Sequence, residues 1–100
     1  MFASYRDLLD ASHAHDGLWH TITYAVNKAA TENYKAKHCG RYNARGIEKE
    51  EDVVAGVFLN TVNACLDHER TLNEVAALIL DHRTHIYVAW AVAQRLAGKA

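Results

Sequence analysis

The sequence predicts a small all-α protein, a four-helix bundle-like single domain spanning residues 1–100. Three observations carry that expectation. Apolar residues recur at alternating three- and four-residue spacing in successive stretches, which is the signature of amphipathic helices. Proline is absent from all 100 residues, so the strongest helix breaker is missing, while alanine, the best helix former, is abundant. No stretch makes a competing strand: Thr21 to Val26 alternates weakly, but its flanks are helical in pattern.

The elements follow in order. Ser4 with Asp7 reads as a capping-box variant, and Phe2, Tyr5, Leu8 and Leu9 give a short first helix that fades between His13 and Asp16. Asp16 is the expected N-cap of the second helix. Its core face is marked by Trp19, Ile22, Val26, Ala29 and Asn33, and it ends at Cys39-Gly40 with Gly40 in the left-handed position. Residues 40–46, Gly-Arg-Tyr-Asn-Ala-Arg-Gly, read as a loop. The acidic run Glu48, Glu50, Glu51, Asp52 then suits the first turn of a third helix, where the macrodipole favours negative charge. Val53, Val54, Val57, Phe58, Thr61, Val62, Cys65 and Leu66 make that helix broad in apolar surface and therefore central. Thr71 and Glu74 form a capping box that places a break near Glu69 and Arg70. The last helix then carries Leu72, Val75, Ile79, His82, Ile86, Trp90 and Ala93 and stops at Gly98. Phe58 and Trp90 are the expected large core residues.

Composition narrows the function. A formal net charge of −1 and a pI near 6.6 argue against both a non-specific nucleic-acid coat and an acidic nucleic-acid mimic. Cys39 and Cys65 form no CxxC unit, so reduced thiols are expected. Charged residues at Arg6, Asp7 and Asp10 leave no secretory leader, no apolar run is long enough to span a bilayer, and the chain reads as cytoplasmic with no membrane partner.

Catalytic chemistry finds little support. Seven histidines are many for this length. His13, His15, Asp16 and His20 gather at one helix junction, and His82 with His85, near Asp81 and His68, form a second group. Zinc takes such ligands, but HExxH and paired half-sites are missing, so capping and hydrogen-bonded histidines explain both groups. His15-Asp16 echoes the dipeptide of metal phosphohydrolases without an upstream ligand histidine. Cys39 follows His38 directly, and adjacent helical residues point apart, while Cys65 lies in an apolar stripe. The expectation is a protein that is not an enzyme, with no cofactor and no metal.

Charge placement is more informative. Lys28, Lys35, Lys37, Arg41 and Arg45 stand against only Glu32 between residues 28 and 45, a local net of +4, with Tyr34 and Tyr42 interleaved. Arginine and tyrosine carry interface energy out of proportion to their number. Tyr34, Lys35, Lys37, Arg41, Tyr42 and Arg45 are therefore the expected partner-binding residues. The alternatives are a solvated helix end whose lysines suit the dipole, or contact with phosphates.

Two resemblances bear on the partner. Thr71-Leu-Asn-Glu-Val-Ala-Ala-Leu-Ile, followed by Arg83-Thr84, Ile86 and Trp90, resembles a helix-turn-helix module. That implies a DNA-binding regulator using residues 71–90, with Arg83, Thr84 and His85 on the groove-facing helix. Leu80-Asp81-His82 stands where the turn glycine of that motif belongs, and a continuous helix explains the same residues. The whole chain, in its size, helical economy and lack of an active-site motif, is similar to the small phage and mobile-element inhibitors of the anti-CRISPR type. That resemblance implies a non-catalytic protein–protein interaction module, an inhibitor that binds and occludes a nucleic-acid-handling complex. A histidine-rich metal-dependent enzyme is the third reading.

Overall fold

The computed structural model describes residues 2–68 and 86–98. Four helices make up the regular structure of those residues: α1 (Tyr5–Ser12), α2 (Leu18–Lys37), α3 (Ala44–His68) and α4 (Ile86–Leu96). No strand occurs among the described residues. The fold is an all-α bundle in which α2 and α3 pack along each other, α4 lies against both, and short α1 covers one end of the pair. No described helix is long and apolar enough to cross a membrane.

α1 begins as its sequence dictates. Ser4 is extended, and its hydroxyl accepts from the Asp7 amide at 3.1 Å. Leu8 is fully buried and Leu9 partly so, and the Ser12 hydroxyl, also buried, is satisfied by the Leu9 carbonyl at 2.6 Å. Ahead of α1, the Asn63 side chain of α3 binds both backbone groups of Phe2: its oxygen accepts from the Phe2 amide at 3.0 Å and its nitrogen donates to the Phe2 carbonyl at 2.9 Å.

The start of α2 differs from expectation. The N-cap is Gly17, with φ +72°, not Asp16. The chain leaves α1 through successive tight turns over five residues and enters α2 with Gly17 left-handed, a conformation that glycine supplies without a Cβ clash. The Arg95 guanidinium of α4 fastens this turn by donating to the Asp16 carbonyl at 3.1 Å. α2 buries Leu18, Ile22, Val26, Ala29 and Ala30, while Trp19 is only partly buried.

α3 starts earlier than the acidic run suggests. Asn43 caps it, its side chain accepting from the Gly46 amide at 3.0 Å. Glu48, Glu50, Glu51 and Asp52 therefore occupy later turns, and no acidic residue stands in the first. α3 supplies much of the core through Val54, Phe58, Thr61, Val62 and Cys65. Val53 is 55% exposed, because consecutive helical positions diverge by about 100° and Val54 takes the inward one. α4 contributes Ala89, Val92 and Ala93, with Trp90 partly rather than fully buried, and it ends before Gly98 at φ +78°. Cys65 is buried and Cys39 exposed, with no disulfide between them. The expected break at Glu69–Arg70, the Thr71–Glu74 capping box, the Leu72–His82 pattern and all but the last five residues, 86–90, of the helix-turn-helix expected over 71–90 lie outside the described residues, as do the His82 and His85 pair.

Candidate functional site

The expected partner-binding residues fall on the turn between α2 and α3. α2 ends because His38 leaves helical geometry and Cys39 and Gly40 both take left-handed conformations, at φ +56° and +81°. The Gly40 amide donates back to the Lys35 carbonyl at 2.8 Å, and the His38 amide to the Tyr34 carbonyl at 3.0 Å, so both of these carbonyls in the last turn of α2 are satisfied. The Arg41 amide adds a bond to the His38 carbonyl at 3.1 Å, and two residues later Asn43 caps α3. The left-handed position next to the helix is held by Cys39, with Gly40 one place later than expected.

Tyr34 locks this turn. Its ring stacks on His38, with centroids 4.1 Å apart and planes 26° from parallel. The other side of the ring lies against Gly46, where any Cβ would overlap it. Tyr34 is partly buried and touches the core cluster, so it braces the turn from within. Lys37 is also engaged: its ammonium pairs with Glu50 at 2.9 Å, its side chain 62% exposed against 12% for the glutamate. Glu51 is occupied too, accepting from the Asn27 side chain at 2.8 Å. That leaves Lys35, Arg41, Tyr42 and Arg45 exposed on the outside of the turn, with Tyr42 at 71%. Among the described residues no ion pair engages Arg41 or Arg45. The local alternative, in which these arginines pair with Glu48, Glu50 or Glu51, is not what the structure adopts; Lys37 takes the carboxylate instead.

Arg45 stands in the first turn of α3, where the helix dipole is positive and disfavours a cation by about 0.3–1 kcal/mol. Lys35, Arg41 and Arg45 thus place three exposed cations on the stretch of chain that also carries the exposed phenol of Tyr42. Such a surface can take bidentate anions through the guanidinium forks and flat apolar area through Tyr42.

The histidine junction is likewise built from ring contacts. His13 stacks on Trp19 at 5.5 Å, and His20 meets the same indole edge-on at 5.1 Å. Among the described residues no group of three or more histidine, cysteine or acidic side chains is placed to hold a metal ion. Sequence reasoning passed over the exposed row His20, Tyr24, Lys28 and Glu32 on α2. The signal was there in their strict four-residue spacing, on the side of the helix opposite the core positions. No family model, curated protein sequence or solved structure matches this chain.

Proposed function

We propose that the protein is a non-catalytic binding module whose α2–α3 turn engages an acidic surface on a protein partner, and that it acts by covering that surface. The observation that carries this reading is that Arg41 and Arg45 stay outside every ion pair of the described residues although carboxylates follow within a few positions. A fold that used these arginines for its own stability would pair them with that acidic run. The turn is also preformed: two left-handed residues, the Asn43 cap and the Tyr34 brace hold it, so little order is lost on binding. The finer reading, an inhibitor of a nucleic-acid-handling complex, rests on the likeness in size and helical economy to anti-CRISPR-type inhibitors.

The decisive variant is Arg41→Glu with Arg45→Glu. It is expected to keep the helical spectrum and a melting temperature no lower than that of the native protein, because neither side chain is buried or paired and a glutamate at 45 suits the first turn of α3. Affinity for the partner recovered from host extract should fall by about 2 kcal/mol or more, roughly thirtyfold, since reversal adds repulsion to lost attraction. Full retention of binding by the double variant excludes the turn. Salt-dependent binding of duplex DNA by the purified protein would replace this reading with the DNA-binding one, and stoichiometric zinc or iron would replace it with the metal-dependent enzyme.

A further inference from the structure

On the outward side of α2, His20, Tyr24, Lys28 and Glu32 follow one another at four-residue intervals, and all four are exposed. They border a shallow furrow whose walls include Ala25 and Ala29 of α2 and Val88 of α4. Tyr24 is 69% exposed, and no described ring packs against it. Lys28 and Glu32 are one helical turn apart, yet they form no ion pair with each other. Read from its other end, the row runs acid, cation, phenol, imidazole. Laid antiparallel on itself, it sets imidazole against carboxylate and phenol against ammonium.

We propose that this row is the contact between two copies of the chain, whose α2 helices cross antiparallel about a two-fold axis that passes through the outer face of α2 level with Val26, midway between Tyr24 and Lys28. Positions equally far from Val26 then face one another. His20 meets Glu32 of the second copy, its ring N–H donating to the carboxylate. Tyr24 meets Lys28 of the second copy, the ammonium over the ring face. The two-fold axis repeats both contacts, as an isologous interface requires. Rows of residues four apart are inclined to the helix axis, and two such rows align when the helices cross at about −50°. The small side chains of Ala25 and Ala29 leave room for that approach.

Other two-fold registers serve the row less well. An axis at Tyr24 sets His20 against Lys28, and an axis at Lys28 sets that lysine against itself. An axis at Ala30 pairs Lys28 with Glu32 but leaves Tyr24 facing Ala36. Only the axis at Val26 gives all four side chains a complementary neighbour. The row spans about 18 Å of helix, less than the face of a standard stable interface, so association is expected to be weak.

Sedimentation equilibrium from about 5 µM to 1 mM tests the proposal, with circular dichroism confirming that each variant is folded. The native protein should shift from monomer to dimer mass across that range. Glu32→Lys should remain monomeric. Adding His20→Glu to it should restore dimerisation, because the new glutamate meets the new lysine across the axis; within one chain the two positions are too far apart to couple. A native protein still monomeric at the highest concentration overturns the proposal. So does undiminished association of Glu32→Lys, or rescue by Lys28→Glu in place of His20→Glu. The surface is separate from the α2–α3 turn, so Arg41→Glu with Arg45→Glu should dimerise like the native protein, and the two proposals stand or fall independently.

Discussion

Two glycines of α3 have opposite meanings, and the difference is one neighbouring ring. At Gly46 a Cβ would overlap the Tyr34 ring, whereas at Gly56 it would meet nothing within 4 Å. Gly46→Ala should therefore lower stability by about 1–3 kcal/mol by displacing Tyr34 from its stack on His38. Gly56→Ala should raise it by about 0.5–1 kcal/mol, because alanine loses less backbone freedom on forming a helix. Urea denaturation of the two variants checks both signs, and equal effects would refute the bracing role of Tyr34. Tyr5 makes a further residue-scale prediction. Burial and then the nearby Glu51 carboxylate push its phenol up to about 12, so the folded state holds that proton where the unfolded chain has released it. Stability from this source is complete below pH 10 and declines as pH rises from 10 toward 12, since there the unfolded state binds fewer protons. An ultraviolet titration should show one phenol ionising late, and Tyr5→Phe should flatten the loss of melting temperature across that window.

At the scale of elements, the termini show what was legible. The Ser4 cap, the end of α2 near Cys39 and the stop before Gly98 could be read from sequence, because each depends on one local residue type with one strong backbone preference. The starts of α2 and α3 could not. Asp16 and Gly17 are both acceptable caps, and the choice falls to glycine because the short link from α1 enters α2 through a left-handed residue. Ala44, Arg45 and Gly46 read as loop from composition, yet all three are helical behind the Asn43 cap, and the Tyr34 ring fills the space that a Cβ at 46 would take. Of the turn residues, Arg41, Tyr42 and Arg45 could be picked out by charge and aromatic clustering. The bracing role of Tyr34 and the Lys37–Glu50 pair depend on how α2 and α3 pack, which no local window contains. Asn43 is the element-scale test. Asn43→Ala should cost about 1 kcal/mol by leaving the Gly46 amide without its acceptor, and it should fray the first turn of α3 in amide-exchange measurements.

For the whole molecule, the core depends on few large side chains. Among the described residues Phe58 is the largest that is fully buried, in a cluster whose other members are mostly valine, leucine and alanine. Phe58→Ala should cost about 3–5 kcal/mol, a large part of the 5–15 kcal/mol typical of a small domain. Partly buried Trp90 should cost less when truncated. Denaturation midpoints of the two variants decide the order, and a greater loss from Trp90→Ala would mean that α4 contributes more to the core than its exposure implies. The paired bonds between Asn63 and the backbone of Phe2 join positions 61 residues apart and bear on the order of assembly. The α2–α3 hairpin closes over a few residues, whereas the amino-terminal segment has no acceptor for its first amide until α3 exists. In pulse-labelled refolding, protection of the Phe2 amide should therefore follow that of the α2–α3 hairpin, a built-in reporter that the amino-terminal segment has docked on α3.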